Sequence, residues 1–561
     1  MEVPKIRPTF DEAKFERPSH DISKKDLPPL IEAKQEMNVF QGVTAEKYGE
    51  RLACEVSIEA EEVFNNVLNI CRSVKEAGGT ALLVGGVVRD EVRGSFSRDF
   101  DIEVYGLEAE KIEKIVSNFG AVNEVGKAFG ILKISYPNGM DIDVSLPRTD
   151  SKTGEGHSGF NVKTDPNMSI KEAARRRDFT FNTLAKNPLT GEIYDAFGGI
   201  EDLRTRTLRI TDKELFRDDP LRVMRGAQFA ARMGLRIEPE TMMIMQEMVD
   251  DLETLSPERM KSEWEKLLLK PDRPSLGLQT LFNLGVIHKL YPELAELRET
   301  PQEHEWHPEG DVWVHTLMVT DSARDVVRSH GLDDETARTV MWAALCHDLG
   351  KPMTTEFSGG HITSRAHDVK GEQPTRDFLE KVGLPKKLIE KVVGIVKDHL
   401  TPNTMYLRQA RHGEKITDGA IRRLAERLHP ATIEECTYVG EADSLGRGPF
   451  LDPKHAEQFL LPVVTEPYDG FASGVWAREK ALELDVSKKR AQTIIRGRDL
   501  INIGFEPSTK FGILIKLADN CRDDLEWTRA QILEIILDNR NSIDKAIKEF
   551  QLAHHKIIKV N

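Results

Sequence analysis

The sequence predicts an α+β protein: a mixed head of strands and helices, followed by helices almost to the C-terminus. Three observations predict it. Residues 99–104 (DFDIEV) and 140–146 (MDIDVSL) alternate polar and apolar, the period of half-buried strands. Leu82-Leu83-Val84 is a short apolar run closed by Gly85-Gly86, which reads as a buried strand entering a tight turn. From Glu201 onward the apolar residues recur at helical spacing, with a brief exception at His361-Ile362-Thr363.

The 561 residues allow several domains. Acidic residues (93) outnumber basic ones (78), giving a formal charge of -15. That balance argues against non-specific coating of nucleic acid and leaves room for a local basic groove. The cysteines Cys54, Cys71, Cys346, Cys436 and Cys521 are scattered and form no CxxC pair. They read as reduced thiols of a cytoplasmic protein. No apolar run is long enough for a membrane span, and the N-terminus has no signal-peptide core.

Residues 1–55 are rich in Pro, Lys, Glu and Asp and read as a disordered extension, with a short helix near 44–60. The head spans 56–200. Residues 60–76 have helical spacing and are expected to pack behind the first strand. Gly85 and Gly86 let backbone N–H groups approach an anion, with Arg89 close by. Asp99 and Asp101 share one strand face, where two carboxylates repel unless a divalent cation neutralises them. A phosphate cradle beside a carboxylate pair equips a site for metal-assisted phosphoryl or nucleotidyl transfer. The strand at 140–146 puts Asp141, Asp143 and Ser145 on one face and Ile142, Val144 and Leu146 on the other. Arg175-Arg176-Arg177-Asp178 follows, then the apolar pattern Phe179-Thr180-Phe181-Asn182.

Residues 201–300 are expected to form a helical neck and body that binds nucleotide and RNA. Residues 216–236 read as one helix, with Asp218 or Asp219 near its N-terminus and Pro220 in its first turn. Asp219, Arg222 and Arg225, spaced by three, are expected near one another on one side. An Asp acceptor next to an Arg donor suits cytosine and adenine, which present an amine beside a ring-nitrogen acceptor, and rejects guanine and uracil. Basic residues are frequent from Arg204 to Arg236, the expected place for the acceptor end of an RNA.

Residues 301–450 carry a second constellation: His315, His347-Asp348 at the end of an apolar helix, His367, His399 and Asp443. Imidazoles and carboxylates on separate helices can bind Mn, Fe, Ni, Mg or Zn and activate a water. Lys351, in the same turn as Asp348, is placed to contact phosphate. Residues 451–561 read as a helical C-terminal region.

The string Gly85-Gly86-x-Val88-Arg89-Asp90, then Gly94, then Asp99-x-Asp101, resembles the head of the DNA-polymerase-β-like nucleotidyltransferases. More narrowly it resembles the class II bacterial tRNA nucleotidyltransferase (CCA-adding enzyme) and poly(A) polymerase family. Asp143, five residues before Arg148, matches that family's acidic-to-Arg spacing and is preferred over Asp141 as third carboxylate, activating the attacking 3′-hydroxyl or holding metal. The RRDFTFN segment resembles the family's RRDFTxN motif. The resemblance implies that Arg177 and its neighbours contact triphosphate or RNA, that Asp178 reads the ribose hydroxyls and that Asn182 supports the site. Asp219 and Arg222 fall on the family's EDxxR nucleotide-reading motif, with Asp218 where Glu is common. Leu255-Ser256-Pro257-Glu258-Arg259 resembles its neck. His315, His347, Asp348 and Asp443 match the ligand positions of HD-type metal-dependent phosphohydrolases, leaving His367 and His399 for a second metal or a phosphate. The residues 494–519 resemble the C-terminal segment of HD-containing tRNA nucleotidyltransferases.

The resemblance implies CCA addition to the 3′ end of tRNA from CTP and ATP, with Mg²⁺ in the head. It also implies a 2′,3′-cyclic phosphodiesterase or 2′-phosphatase activity in the HD domain, with Mg²⁺, Mn²⁺, Ni²⁺ or another divalent metal. The motifs do not separate CCA addition from poly(A), C-only or A-only addition, because Asp219 and Arg222 suit both bases. A nucleotide phosphohydrolase with a non-catalytic RNA-binding head, or a non-enzymatic RNA-binding protein, are alternatives of another class. Intact Asp99, Asp101 and Arg177 argue against the first, and two full sets of catalytic residue types against the second.

Overall fold

The computed structural model describes residues 58–558 except 96, 98, 127–130, 137–139, 153–159 and 448–470. The expected extension over 1–55 lies outside the described residues, as does Cys54. The chain divides into two compact units.

The first unit runs to Arg148 and takes in Thr164–Met168 and Leu184–Asp195. Helix α1 (Ile58–Glu76) leads into β1 (Thr80–Val84), α2 (Gly86–Val92), β2 (Asp99–Tyr105), α3 (Ala109–Val116), β3 (Val122–Gly126), β4 (Ile131–Ser135) and β5 (Asp141–Ser145). Two short strands, β6 (Ala185–Lys186) and β7 (Ile193–Tyr194), complete a seven-stranded sheet of order β3-β4-β5-β2-β1-β6-β7. The β2–β5 pair is parallel and the other pairs are antiparallel. Val63, Val67, Ile70 and Val74 of α1 recur at helical spacing and are buried, as are Phe100, Ile102 and Val104 of β2. Phe64 meets the Phe100 ring at 6.0 Å, so α1 lies against β2 as well as against β1.

The alternation of β2 holds for Asp99 and Asp101, which are exposed, and fails at Glu103. Glu103 is buried, and the Tyr105 hydroxyl donates to its carboxylate at 2.6 Å. A local hydrogen-bond donor makes burial of that carboxylate tolerable.

The second unit holds Thr149–Lys163, Ser169–Thr183 and everything from Ala196. The arginine-rich stretch thus folds with the helices. The reason is apolar: Phe179 and Phe181 are fully buried, stack on each other and meet Phe229 edge-on. Helix α4 (Ile170–Arg175), capped by a Ser169–Glu172 box, leads into this stretch.

The single helix expected over 216–236 is interrupted. A short helical turn ends at Phe216, and α5 (Leu221–Met233) begins after Pro220. Pro220 is the N-cap of α5 and disfavours helical backbone at Asp219, whose carboxylate accepts the Leu221 N–H at 3.2 Å. Helices α6 (Pro257–Leu269) and α7 (Pro274–Leu284) follow.

Next come α8 (Val312–Ser329), α9 (Asp334–Cys346), the hairpin β8 (Thr355–Ser358) and β9 (His361–Ser364), α10 (His367–Lys370), α11 (Glu372–Val382), α12 (Lys386–Asp398) and α13 (Ile433–Leu445). The hairpin is the expected exception at 361–363. Asp311 caps α8, placing His315 in its first turn. Toward the C-terminus, α14 (Gly497–Ile503), α15 (Lys510–Leu525), α16 (Arg529–Asp538) and α17 (Ile543–Ile558) share a core of their own around Leu500, Leu514, Ile532 and Phe550. No helix among the described residues is long and apolar enough to cross a membrane. Cys71, Cys346, Cys436 and Cys521 are buried and unbonded to one another.

Candidate active sites

In the head, the parallel register sets Asp99 opposite Asp141 and Asp101 opposite Asp143. Adjacent strands lie about 4.8 Å apart, so four carboxylates crowd one sheet face. Lys133 on β4 offsets part of this: its Nζ lies 2.7 Å from Asp141 and 3.5 Å from Asp143. The Lys133 bond holds the Asp141 carboxyl below its usual range. Asp143 moves the other way: burial pushes it up, and the Asp141 and Asp99 charges add to this against the pull of Lys133. Asp143 Oδ1 is buried, with Lys133 Nζ at 3.5 Å as its ion-pair partner. Four carboxylates on one face, offset by a single lysine, fit a hard divalent cation with oxygen ligands.

Beside this group, Gly85 has φ +71°, which favours glycine, and opens α2 with no side-chain cap. Arg89 is buried, and its guanidinium forks onto Asp90 at 2.8 and 2.9 Å. It braces the turn from below: its Nη2 stands 3.7 Å from where a Gly86 Cβ would sit.

Asp178, Asp219, Arg222 and Arg225, the residues expected to read the nucleotide, belong to the second unit. Asp178 is a hub. Its Oδ1 accepts the Phe179 N–H and the Asn182 amide, each at 2.8 Å, and its Oδ2 accepts Arg225 Nε at 2.8 Å. Burial opposes the charge, yet Arg225 and Asn182 hold the carboxyl below its usual range. Arg177 donates to the Asn182 carbonyl at 3.2 Å. Asp219, Arg222 and Arg225 lie near enough for the Asp219 charge to act on both arginines, and each is bonded to a further partner. Arg222 donates to the carbonyls of Leu215 (2.6 Å) and Arg176 (2.7 Å), and Arg225 pairs with Asp178. Asp219 pairs with Arg259 of α6, which reaches both carboxylate oxygens at 3.0 and 2.9 Å.

The second constellation is brought together completely. His315 Nε2 lies 3.1 Å from Asp443 Oδ1 and 3.3 Å from His347 Nε2, which lies 3.1 Å from Asp348 Oδ2. On the other side of Asp348, His367 Nε2 lies 3.4 Å from Oδ1, and His399 completes a triad with them. The imidazoles are oriented from behind. The Nδ1 atoms of His347, His367 and His399 donate to the carbonyls of Ala344, Ser364 and Val396 at 2.7–2.8 Å. That leaves each Nε2 lone pair for a metal. Burial, with His347 and His367 alongside, pushes His399 down to about 4, so it is neutral as a ligand must be. Asp348 Oδ2 is buried between His347 Nε2 at 3.1 Å and Lys351 Nζ at 2.7 Å. Nitrogen and oxygen donors so arranged fit divalent transition metals.

Two glycines permit this convergence. A Cβ on Gly350 would sit 2.0 Å from the His367 carbonyl, and one on Gly446 would sit 2.4 Å from Val319. The turn after Asp348 can therefore press on α10, and the end of α13 can press on α8.

Sequence reasoning missed Glu309, Arg447 and the bracing role of Arg259. Glu309 is buried between two imidazoles, 2.8 Å from His307 Nδ1 and 2.9 Å from His315 Nδ1. Despite burial, these neighbours hold its carboxyl down at about 2. Arg447 donates to Asp443 at 2.6 Å, and Lys351 Nζ stands 2.7 Å from Asp348. The Pro308-Glu309 turn before α8 was the available signal for Glu309.

The Multifunctional CCA protein of Xanthomonas campestris pv. campestris is 34% identical over 401 residues, 68% of this chain and 90% of the relative. The chain belongs to the multifunctional CCA protein family. The Acinetobacter baumannii member is 34% identical over 375 residues, 65% of this chain and 84% of its own. Family models for the poly A polymerase head domain, a probable RNA- and SrmB-binding site of polymerase A, and the HD domain match residues 81–209, 234–297 and 312–447. The fold is that of the Bacillus stearothermophilus CCA-adding enzyme in complex with CTP. The TM-score is 0.57 at 22% identity, covering 89% of this chain and 99% of that one. The Thermotoga maritima CCA-adding enzyme complexed with tRNA gives 0.51 at 19% identity, covering 87% and 98%.

Proposed function

We propose that this chain adds CCA to the 3′ end of tRNA without a template, from CTP and ATP, and that its HD domain is a phosphohydrolase acting on 2′,3′-cyclic or 2′-phosphate ends. The observation that carries the first activity is the square of carboxylates on β2 and β5 with the Gly85-Gly86 turn at its side. Asp99 and Asp101 would hold Mg²⁺, which supplies charge neutralisation at the triphosphate. Asp143, raised by burial and by its acidic neighbours, is suited to accept the proton of the attacking 3′-hydroxyl. Asp219 and Arg222 read the base, Arg259 holds Asp219 in place, and Arg148 and Arg177 meet phosphate. Asp178 and Asn182 keep Arg225 and the Arg177 segment in position, a scaffold for the ribose-reading role. Family membership supports both the activity and the substrates.

In the HD domain, His315, His347, Asp348 and Asp443 would hold one metal. Asp348, with His367 and His399, is built to hold a second. Imidazole-rich donors favour Mn²⁺ or Ni²⁺ over Mg²⁺. Lys351 and Arg447 then face the phosphate. The division of labour follows a head over 56–200, a neck and body over 201–300, the HD domain over 301–450 and a helical C-terminal region, in a cytoplasmic protein whose buried thiols stay reduced.

The test is primer extension on tRNA transcripts ending before CCA, after one C and after two, with each nucleotide triphosphate supplied singly and together. Ordered C, C, A addition that then stops is the expected result. Unlimited A addition, or addition of one base type only, overturns the CCA reading in favour of a poly(A) polymerase or a split-function enzyme.

A further inference from the structure

The cavity beside the HD donors has a volume of about 270 Å³, and its walls differ in kind. Asp348, Lys351 and Arg447 line it with charge, and His367 and His399 with imidazole. Trp306 lines it too, yet remains 64% exposed, whereas Trp264, Trp313 and Trp342 of the same unit are fully buried. The hairpin supplies Ile362 and Ser364 to the wall. Phe357 is the cross-strand partner of Ile362. Directly opposed residues share a sheet face, so Phe357, 76% exposed, extends that wall outward.

This aromatic rim is held in place. The Trp306 backbone N–H donates to the Glu303 carbonyl at 3.1 Å. The Glu303 carboxylate accepts the Ile362 N–H at 2.9 Å, tying the Trp306 turn to the hairpin. Gln302, in the same short segment, accepts Lys351 Nζ at 2.6 Å. One stretch of chain thus fixes both the Lys351 cation and the backbone that carries the indole.

We infer that Trp306, with Phe357 on the hairpin, is a stacking platform for a nucleobase. The HD site then selects an unpaired nucleotide bearing its phosphate on the ribose over phosphate esters without a base. The inference rests on the phosphohydrolase reading above and adds what selects the substrate. The cavity is near the lower limit of small-molecule pockets, about 300 Å³, so the sugar phosphate fits inside and the base lies at the mouth. An aromatic face there accepts any base, because every base has a π-face.

The test uses the full-length protein and its Trp306→Ala, Trp306→Phe and Phe357→Ser variants. Hydrolysis is measured on a nucleoside 2′,3′-cyclic monophosphate, on a tRNA transcript ending in the cyclic phosphate and on a base-free ribose phosphate. Trp306→Ala is expected to raise KM for the base-bearing substrates roughly tenfold or more, leaving kcat and the base-free ester unchanged, and Trp306→Phe to recover most of the loss. Phe357→Ser, at an exposed position, gives a smaller rise of the same kind. A loss on only one base-bearing substrate supports the platform and names the source of the base. Equal losses on all substrates, or none, overturn it. A second readout needs no metal: with chelator present, adenosine 2′-monophosphate quenches the tryptophan fluorescence of the native protein and not of Trp306→Phe. Equal quenching overturns the inference. If the native protein hydrolyses none of these substrates with any divalent metal, the phosphohydrolase reading fails and the platform with it, a failure distinct from base-blind hydrolysis.

Discussion

Asp219, proposed above to read the base, is held by Arg259. One guanidinium nitrogen lies 3.0 and 2.9 Å from the two carboxylate oxygens, with side-chain exposures of 22% and 27%. A charge-assisted bond contributes about 1.5–3 kcal/mol when buried. Partial exposure puts this pair at the lower end, about 1–1.5 kcal/mol. Arg259→Ala is therefore expected to lower kcat/KM for CTP and ATP by roughly five- to fifteenfold. Selectivity against UTP and GTP should fall by a similar factor, because a mobile carboxylate no longer imposes one hydrogen-bond pattern. Arg259→Lys retains the charge on a shorter, more flexible stem and should fall in between. The assay is single-turnover addition with each nucleotide on a transcript lacking CCA, alongside a thermal midpoint for each variant. Arg259→Ala with native kcat/KM and native selectivity, set against a defective Asp219→Ala, would refute the reasoning. A variant whose only defect is a lower midpoint would reduce Arg259 to a structural brace.

Three further outcomes are expected. Asp101→Asn should abolish nucleotide addition and leave HD hydrolysis intact; retained addition removes Asp101 from the proposed metal site. Glu309→Gln should weaken Mn²⁺ binding at the HD site by about ten- to a hundredfold, read by calorimetry, since a carboxylate behind an imidazole orients it and raises its basicity; unchanged affinity denies Glu309 that role. Asp321, on α8, accepts the Ser275 N–H and hydroxyl, and burial outweighs these bonds and raises its carboxyl to about 7. The folded state thus binds the proton more tightly than the unfolded chain, so stability is greatest at low pH and falls as pH rises from about 4 to 7, by at most about 4 kcal/mol. Asp321→Asn should flatten that slope in thermal midpoints taken from pH 5 to 8, and an unchanged slope would show that another group sets it.

The acids of the head were legible because period two is a local property: Asp99, Phe100, Asp101 and Ile102 announce their faces without any partner strand. Their pairing with Asp141 and Asp143 was open to reading only as a second alternating run, since the register between strands 42 residues apart is set by the sheet. Glu103 shows the limit of alternation. It continues the polar period, yet sits in the core because Tyr105, two residues on, supplies a donor. The HD histidines were legible as residue types on successive helices, and the structure adds which nitrogen of each ring faces inward. What the sequence did not reveal is long-range pairing. Arg225 with Asp178 and Arg259 with Asp219 join residues 47 and 40 positions apart, and nothing in a helical period chooses those partners. The stretch at 175–182 is the clearest case. Its arginines and Asp178 attract attention, but Phe179 and Phe181 decide where it folds.

The two proposed activities impose an order on one another. Nucleotidyl transfer requires a free 3′-hydroxyl, and a 2′,3′-cyclic phosphate leaves none. For addition to follow, hydrolysis must break the P–O3′ bond, so that water's oxygen joins phosphorus and the 3′-oxygen leaves with a proton. The resulting 2′-phosphate is then a substrate for a second hydrolysis by the same donors. A tRNA ending in a cyclic phosphate should therefore be extended by the native protein after a lag. It should not be extended by Asp348→Asn, while both proteins extend a tRNA with a free end equally. Asp348→Asn suits this comparison, because Asp348 lies among the HD donors and takes no part in the head. Prompt extension of the blocked end by Asp348→Asn would mean that the HD site does not clear it. Failure of that variant on the free end would mean that the two sites are coupled by more than their shared substrate.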